Sequence, residues 1–246
     1  MSVQSGMFQR LFLRRHRTVS GMHAYNIEYV PYSKDRLDDI VELMLDTFFT
    51  HEPLALSVQR APGSGREDVL DWLRPCIAGW THDVMLLAVD ADEDRLVGAT
   101  LNNVITAEHR DTWSWPRHAG TEYARLVFDF TEELGHGVDV FAHFGATRIL
   151  HRCMTAVHPD YHHQGIAKEL VDTSSFDLAR KDGCQAVVAG VTHRTAQKIL
   201  LNQGFEVLRE LRYCESKTLA ASPYFDENRL GHHKSAKLMG VSLTET

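Results

Sequence analysis

The sequence predicts a single α/β domain, and three observations support this prediction. The chain has 246 residues, of which 43% are hydrophobic and 24% charged, enough to bury a sizeable core. From Tyr25 onward, strand-like segments alternate with helix-like segments over short connections. No internal repeat or low-complexity tract interrupts this alternation. We therefore expect residues 23–246 to form one domain, preceded by a leader at 1–22 that is disordered or serves in targeting.

The composition excludes several classes of protein. No run of 18 apolar residues is present, so no transmembrane helix is expected. The chain has 33 acidic and 26 basic residues, which gives a net charge of −7. This charge disfavours nucleic acid as the partner and favours a small cation. The four cysteines contain no C-x-x-C motif and are predicted to be reduced intracellular thiols: Cys76, Cys153, Cys184 and Cys214.

The N-terminal segment has a composition of its own. Its first 20 residues contain four arginines and no acidic residue. Such a composition fits a mitochondrial transit peptide better than a secretory signal, because the apolar run is too short. A disordered leader is the plainer alternative, and we expect a cytoplasmic protein, with mitochondrial targeting through the arginines as the other possibility.

The predicted elements of the first half follow from hydrophobic periodicity. Apolar and polar residues alternate in residues 26–32, as in a half-buried strand, whereas residues 35–49 repeat their apolar positions every three or four residues, as in a helix. The remaining predictions are a loop at 51–56, a helix around 69–77, and a hairpin of strands at 84–89 and 96–105.

The second half is predicted in the same way. A strand at 149–157 runs into a loop and a helix that a glycine ends at Asp182-Gly183. The other predictions are helices at 122–134, 138–148 and 195–202, and strands at 186–191, 205–213 and 237–243.

The junction after the strand at 149–157 is the most informative part of the sequence. A strand followed by a tight loop and a helix start leaves backbone N–H groups free to bind an anion. Gly165 would let a phosphate approach the backbone, and the small Ala167 would let the helix pack closely. Alternatively, Gly165 only relieves a tight turn. The predicted pyrophosphate loop consists of His162, His163, Gln164, Gly165, Ile166 and Ala167.

Two stretches resemble the acetyl-CoA-binding core of the GCN5-related N-acetyltransferases (GNAT superfamily). Residues 154–171, MTAVHPDYHHQGIAKELV, are similar to the family loop Arg/Gln-x-x-Gly-x-Gly/Ala, with His162 at the position of Arg or Gln. Residues 200–206, LLNQGFE, resemble the family's L-x-x-x-G-F signature. The resemblance implies a central mixed, mostly antiparallel sheet with helices on both faces. It also implies that acetyl-CoA enters where the strands at 149–157 and 186–191 splay apart.

The segment TFFTHEPL at 47–54 resembles an element of the insect-type arylalkylamine and dopamine N-acetyltransferases, which implies that Glu52 is the general base. An alkylamine has a pKa of about 10 and is protonated at pH 7, so a base must remove its proton before it attacks the thioester. Burial between Phe48, Phe49 and Pro53 would raise the pKa of Glu52. The alternative is an ordinary loop carboxylate.

Other site residues are less well defined. The resemblance implies catalytic hydroxyls before the last helix, of which Thr195 is present while Val191 occupies the other position. The position of the usual acidic tyrosine is Leu200, so water and Thr195 are the candidates for the general acid. Backbone N–H groups near Ala156 and Val157 are expected to meet the oxyanion.

The aromatic residues could line an acceptor cleft, and the histidines raise the question of a metal site. Aromatic residues at these spacings belong to a core more often than to a cleft. The 15 histidines include no metal-binding motif, so no metal is predicted. We expect direct transfer in a ternary complex rather than an acetyl-cysteine route through Cys153. The candidate cleft residues are Trp72, Trp80, Trp113, Trp115, Phe128, Phe130, Phe141 and Phe144.

The sequence therefore predicts an acetyl-CoA-dependent N-acetyltransferase acting on a small arylalkylamine of the dopamine, tyramine, octopamine or serotonin class. An enzyme of the same fold acting on a polyamine or an amino acid is one alternative. A non-catalytic acyl-CoA-binding sensor is another, supported by Leu200 and by the single hydroxyl of Thr195. The oligomeric state is left open.

Overall fold

The computed structural model describes residues 14–20, 23–109 and 120–244. One eight-stranded sheet forms the centre of the molecule, in the order β1-β2-β3-β4-β5-β6-β8-β7. All neighbouring strands are antiparallel except β5 and β6, which are parallel. The strands are β1 (Arg14–Ser20), β2 (His23–Pro31), β3 (Leu86–Asp90), β4 (Arg95–Thr106), β5 (Arg148–Val157), β6 (Ala186–Val191), β7 (Glu206–Arg212) and β8 (Ser235–Ser242).

Nine α-helical segments occur in these described ranges, and none of them is long and apolar enough to cross a membrane. Several are extended by other turns: a π-helical turn at Met44–Phe48 follows α1, and another at Thr173–Leu178 joins α6 to α7. The segments are α1 (Leu37–Leu43), α2 (Pro53–Ser57), α3 (Arg66–Gly79), α4 (Glu122–Gly135), α5 (Val140–Phe144), α6 (Ile166–Asp172), α7 (Ala179–Lys181), α8 (Arg194–Asn202) and α9 (Lys217–Ala220).

Both faces of the sheet are covered, as predicted. On one face, buried residues of α1, α3 and α4 form the largest hydrophobic cluster together with the sheet. On the other face, α6 covers β2, β3 and β4 through Ile166 and Leu170, while α8 covers β6 and β8 through Leu200. The sheet is therefore buried on two sides, and a ligand can reach its centre only where neighbouring strands separate.

The strands separate between β5 and β6. Their parallel pairing comprises four residue pairs and ends at Arg152 and Ala189, although β5 continues to Val157. At the same point the register between β4 and β5 shifts by one residue, which makes Cys153 the extra residue of a β-bulge. The predicted splay is confirmed, and the bulge lies at its closed end.

The structure differs from the predictions at two helices. Residues 51–56 were expected to be a loop, but α2 begins at Pro53, because proline at the first position with an acidic residue before it starts a helix well. The helix predicted at 138–148 is wrong in length. It comprises only α5, because Gly145 adopts a left-handed conformation and Arg148 already begins β5.

The N-terminal region also differs in part from expectation. Residues 14–20, which fall within the predicted leader, form the strand β1 and pair with β2 over seven residues. Residues 1–13 lie outside the described residues. The sheet therefore includes part of the segment that was expected to precede the domain.

A glycine in β4 lets α6 lie close to the sheet. A Cβ atom at Gly98 would lie 3.1 Å from Leu170 Cδ1 and 3.3 Å from Ile166 Cγ2. These two residues belong to the helix that follows the predicted pyrophosphate loop. The absence of a side chain at position 98 therefore determines how closely α6 approaches β4.

Replacing Gly98 by valine is expected to destabilise the protein by about 1–3 kcal/mol, the usual cost of overpacking a core. Denaturant-induced unfolding at equilibrium measures this change. Gly79→Ala is the control, because a Cβ atom there meets no atom within 4 Å. Equal stabilities of the two variants would show that α6 can move away from the sheet at no cost.

Candidate active site

A cavity of about 290 Å³ occupies the splay between β5 and β6, and we call it the donor cavity. Residues from both strands form its walls, and its remaining lining comes from the turn after α1, from the loop after β5 and from the turn into α8 with its first residues. It is lined by Thr47, Phe48, His51, Glu52, Arg152, Cys153, Met154, Thr155, Ala156, Val157, Pro159, His162, Ala189, Gly190, Val191, Thr192, His193 and Ala196.

At one end of the donor cavity lies the predicted pyrophosphate loop. His162 Nε2 donates a hydrogen bond to the carbonyl oxygen of Val157 (2.9 Å) and so attaches the loop to the end of β5. His163 and Gly165 both have a positive φ, 64° and 79°, which turns the backbone sharply into α6. A turn of this kind before a helix directs backbone N–H groups outward, and these groups bind phosphate well.

Glu52 is the N-cap residue of α2. Its carboxylate accepts hydrogen bonds from the backbone N–H groups of Leu54 (3.1 Å) and Ala55 (2.5 Å). Its own N–H donates to the carbonyl oxygen of Phe48 (2.8 Å) at the end of the π-helical turn. Backbone hydrogen bonds on both sides therefore fix the carboxylate at the wall of the donor cavity.

The environment of Glu52 raises the pKa of its carboxyl group. Burial is the largest cause, since it disfavours the charged form. Hydrogen bonds from the side chain of Thr192 and from the backbone of Ala55 and Leu54 act in the opposite direction, without cancelling the effect of burial. The direction of this shift agrees with the sequence-based expectation, and a raised pKa suits a group that takes up a proton near neutral pH.

A second cavity, of about 70 Å³, meets the donor cavity at Glu52, and we call it the acceptor cavity. Its wall contains a series of edge-to-face aromatic contacts: Phe48 with Phe49 (5.3 Å between ring centroids), Phe49 with Trp72 (5.7 Å), and Trp72 with Phe128 (5.2 Å). Residues that line both cavities are Phe48, Glu52, Arg152, Cys153, Gly190 and Thr192.

Two further basic side chains lie at the closed end of the splay. Burial lowers the pKa of His151 to about 4, so this imidazole is neutral at pH 7. Arg152 lies with its guanidinium carbon 5.7 Å from the centroid of the Phe205 ring, and burial lowers its pKa to about 10. Its Nη1 atom is buried and has no hydrogen-bond partner among the described residues.

The structure brings most of the predicted site residues together. Ala156, Val157 and His162 line the donor cavity, whereas His163, Gln164, Gly165, Ile166 and Ala167 continue from it as the loop and the start of α6. Thr195 is not part of this group, because it is exposed and lines neither cavity. Its backbone N–H donates to His193 Nδ1 (3.2 Å). The hydroxyl group beside the carboxylate belongs instead to Thr192.

The aromatic candidates divide into two groups. One group lines the acceptor cavity: Trp72, Phe128 and Phe130. The other group belongs to the hydrophobic core or packs against it and does not line the acceptor cavity: Trp80, Phe141 and Phe144. Trp113 and Trp115 lie outside the described residues. Within the described ranges, no group of three or more His, Cys, Asp or Glu side chains is arranged to hold a metal ion.

Sequence reasoning missed Thr192 and Arg152, and it left two alternatives open for His193, the lining of the cofactor site or an exposed loop; the structure places His193 in the lining of the donor cavity. Thr192 directly follows β6, at the edge of the sheet where ligands bind in open α/β sheets, and this was a usable signal. Arg152 lies inside a strand of buried residues, where an arginine is unusual enough to suggest a function. No local pattern identifies His193, because its contacts depend on residues about 40 positions away.

Part of the chain matches a known family model. Residues 123–207 match the model of an acetyltransferase (GNAT) domain. The matched segment extends from α4 through β5, the predicted pyrophosphate loop, α6, β6 and α8 to the start of β7. Acetyl-CoA is the acetyl donor of this family. A search of curated protein sequences found no significant match.

Several solved structures with the same fold come from insects. Arylalkylamine N-acetyltransferase 2 of Aedes aegypti aligns over 89% of this chain and 99% of its own, with a TM-score of 0.69 and 21% identity. The putative arylalkylamine N-acetyltransferase 7 of the same mosquito aligns over 95% of each chain (TM-score 0.75, 17% identity). A polyamine N-acetyltransferase of Drosophila melanogaster aligns over 88% of this chain and 100% of its own (TM-score 0.68, 17% identity).

Replacing Gly165 by valine is expected to weaken acetyl-CoA binding by roughly tenfold, since a β-branched residue in this left-handed conformation costs about 1–2 kcal/mol. Isothermal titration calorimetry with CoA measures the change. Gly183→Val is the matched control: its φ of 77° is nearly the same, but it lies at the end of α7 and lines neither cavity. Equal CoA affinities of the two variants would exclude a role of the loop in binding the donor.

Proposed function

We propose that this protein transfers the acetyl group of acetyl-CoA to the primary amine of a small arylalkylamine, with Glu52 as the general base. The observation that carries the proposal is the position of the Glu52 carboxylate where the donor and acceptor cavities meet. An amine in the acceptor cavity and a thioester in the donor cavity would both lie beside this carboxylate. Direct transfer then needs no intermediate attached to the protein.

The chemistry has three steps at this junction. The carboxylate first binds the ammonium group and then takes a proton from it, directly or through one water molecule. The neutral amine attacks the thioester carbon, and the oxyanion that forms is stabilised by backbone N–H groups near Ala156 and Val157 in the opened strand. Collapse of the tetrahedral intermediate breaks the C–S bond and forms the amide. The remaining extra proton on the amine nitrogen passes through water to the departing thiolate, so CoA leaves as the thiol.

The lining of the acceptor cavity favours an aromatic acceptor over a polyamine. Phe48, Phe49, Trp72, Phe128 and Phe130 line a small space in which an aromatic ring can make edge-to-face contacts. Glu52 is the one acidic side chain that lines either cavity within the described residues. A polyamine carries several ammonium groups and would leave at least one of them without an acidic partner.

The decisive experiment follows thiol release from acetyl-CoA with dopamine, tyramine, serotonin, spermidine and glycine as acceptors. We expect saturable turnover with the aromatic amines, and Glu52→Gln should lower kcat/KM by roughly 100-fold or more because the base is lost. Glutamine still offers an amide oxygen to the N–H groups at the start of α2, so the fold should be kept. Glu67→Gln is the matched control, because Glu67 is exposed in the first turn of α3.

The pH profile gives a second measure of the same assignment. Because the base must be ionised, kcat/KM should fall on the acid side through the raised pKa of Glu52, above the ordinary value of 4.5. Turnover that is unaffected by Glu52→Gln would refute the base. CoA binding without thiol release by any amine would refute the acceptor and favour a non-catalytic acyl-CoA-binding protein.

An amino acid is the second candidate acceptor, and Arg152 is the observation that favours it. This cation lines both cavities, and its buried Nη1 atom could donate to a carboxylate. Its guanidinium contacts Phe205, which belongs to the hydrophobic cluster beneath α8 and does not line the acceptor cavity. For this reason the arylalkylamine remains the preferred acceptor.

Tyramine and tyrosine distinguish the two candidates, because they differ only in the carboxylate. For an arylalkylamine enzyme, kcat/KM should be at least about 10-fold higher for tyramine, since burying an unpaired carboxylate is costly. The reverse preference, lost in Arg152→Met, would establish an amino acid acceptor. Arg148→Met is the control, because Arg148 lies in the same strand, pairs with Asp182 (2.6 Å) and lines neither cavity.

A further inference from the structure

The turn between β6 and α8 forms part of both cavities. Its two residues are Thr192 and His193: Thr192 lines both cavities, and His193 lines the donor cavity. The side chain of Thr192 is also a hydrogen-bond partner of Glu52. The conformation of this turn therefore affects the position of the proposed base and the width of the donor cavity at the same time.

Two imidazoles hold the first turn of α8 in place. His193 Nδ1 accepts the N–H of Thr195 (3.2 Å), and His233 Nδ1 accepts the N–H of Arg194 (3.1 Å). The two ring centroids lie 4.4 Å apart, and His232 lies 4.1 Å beyond His233. Helix N-caps normally use the oxygen atoms of Ser, Thr, Asp or Asn. An imidazole nitrogen differs because it takes up a proton near neutral pH and then can no longer accept.

Apart from Glu52, whose carboxyl group contacts Thr192 and has a raised pKa, the other groups that fix this turn do not titrate near neutral pH. The hydroxyl of Tyr213 donates to the carbonyl oxygen of Thr192 (3.1 Å), and burial followed by the charge of Glu52 raises its pKa. Gln197 Nε2 donates to the carbonyl oxygens of Val191 (2.9 Å) and Ser235 (2.8 Å). Apart from the contact between Glu52 and Thr192, only the contacts made by the two imidazoles change with pH between 4 and 7.

We propose that His193 and His233 are positioning residues of the acetyl-transfer site: as neutral acceptors they hold the β6–α8 turn against the donor cavity, and their protonation releases the turn and weakens acyl-CoA binding. The inference rests on the proposed function in one respect, because it takes acyl-CoA as the ligand of the donor cavity. Protonation of these two imidazoles would make acyl-CoA binding sensitive to acid, and this effect is separate from the ionisation of Glu52.

The direction of the pH effect follows from two states of the β6–α8 turn. In the held state both imidazoles accept their hydrogen bonds, and in the released state these hydrogen bonds are broken. In the held state, burial and the neighbouring His193, His232 and Arg194 lower the pKa of His233 to about 4, and burial and His232 lower that of His193. In the released state both imidazoles have the ordinary pKa of 6.5. The held state is therefore fully favoured above pH 6.5 and loses this advantage as the pH falls from 6.5 toward 4.

Asparagine provides the critical variant. Its Oδ1 atom lies near the place of an imidazole Nδ1 and accepts an N–H at every pH, so His193→Asn combined with His233→Asn keeps both hydrogen bonds and removes the titration. His233→Phe keeps a ring and removes the acceptor. His136→Asn is the control, because His136 is exposed and lies at the end of α4.

The first measurement is the dissociation constant of CoA at pH 7.5 and pH 5.5. Binding to the wild type should weaken between these values by roughly twofold to tenfold more than binding to the double asparagine variant, the effect of about one hydrogen bond. Comparing the two proteins cancels the titration of the phosphate groups of CoA. His233→Phe should already bind more weakly at pH 7.5. Equal pH dependence of wild type and asparagine variant would overturn the proposal.

A second measurement requires no ligand. The backbone amide NMR resonances of Arg194 and Thr195, the two donors, should titrate with midpoints between pH 4 and 6.5 in the wild type and stay constant in the asparagine variant. Resonances that do not titrate in the wild type would refute the positioning role. A wild type whose amides titrate but which does not bind CoA at pH 7.5 would instead refute the assignment of the donor cavity, so the two failures are distinguishable.

Discussion

The end of the parallel pairing between β5 and β6 is the constraint on which the site depends. After four residue pairs the strands separate, and the ladder of paired residues between β5 and β6 ends at Arg152 and Ala189. Unpaired N–H and C=O groups inside a sheet are costly unless a ligand or solvent satisfies them. In the proposed function, the thioester and amide groups of an acyl-CoA would supply such partners, so the gap that weakens the sheet would also serve as the donor site. The bulge at Cys153, in the pairing of β5 with β4, lies directly after the last β5–β6 pair.

The elements around this gap act as supports for its two edges. His162 attaches the predicted pyrophosphate loop to the end of β5. The helix that follows this loop, α6, is held close to the sheet at Gly98. On the opposite edge, the segment after β7 fixes the start of α8 through Tyr213 and His233. Each edge of the gap is thus held by contacts from residues distant in sequence, which makes the geometry of the site a property of the whole fold.

Local sequence patterns predicted most strands of the sheet and the strand-loop-helix junction after β5, because such elements leave periodic or compositional signals. They failed at α2, where only five residues form the helix and the signal is a single proline after Glu52. The family resemblance implied a catalytic role for Thr195, whereas the hydroxyl group that contacts Glu52 belongs to Thr192, which directly follows β6. The contacts of His193 with His233 depend on the tertiary fold and could not be read from either segment alone.

The separation of charges at the closed end of the gap explains how a carboxylate can act as a base there. Glu52 and Arg152 line the same two cavities, and an ion pair between them would favour the charged carboxylate and lower its pKa. The groups that act on Glu52 are instead its apolar surroundings, Thr192 and two backbone N–H groups, and burial dominates. Because the guanidinium lies against Phe205, Glu52 remains a stronger base than an ion-paired carboxylate would be. The direction in which Arg152 extends therefore matters as much for the proposed reaction as the presence of Glu52.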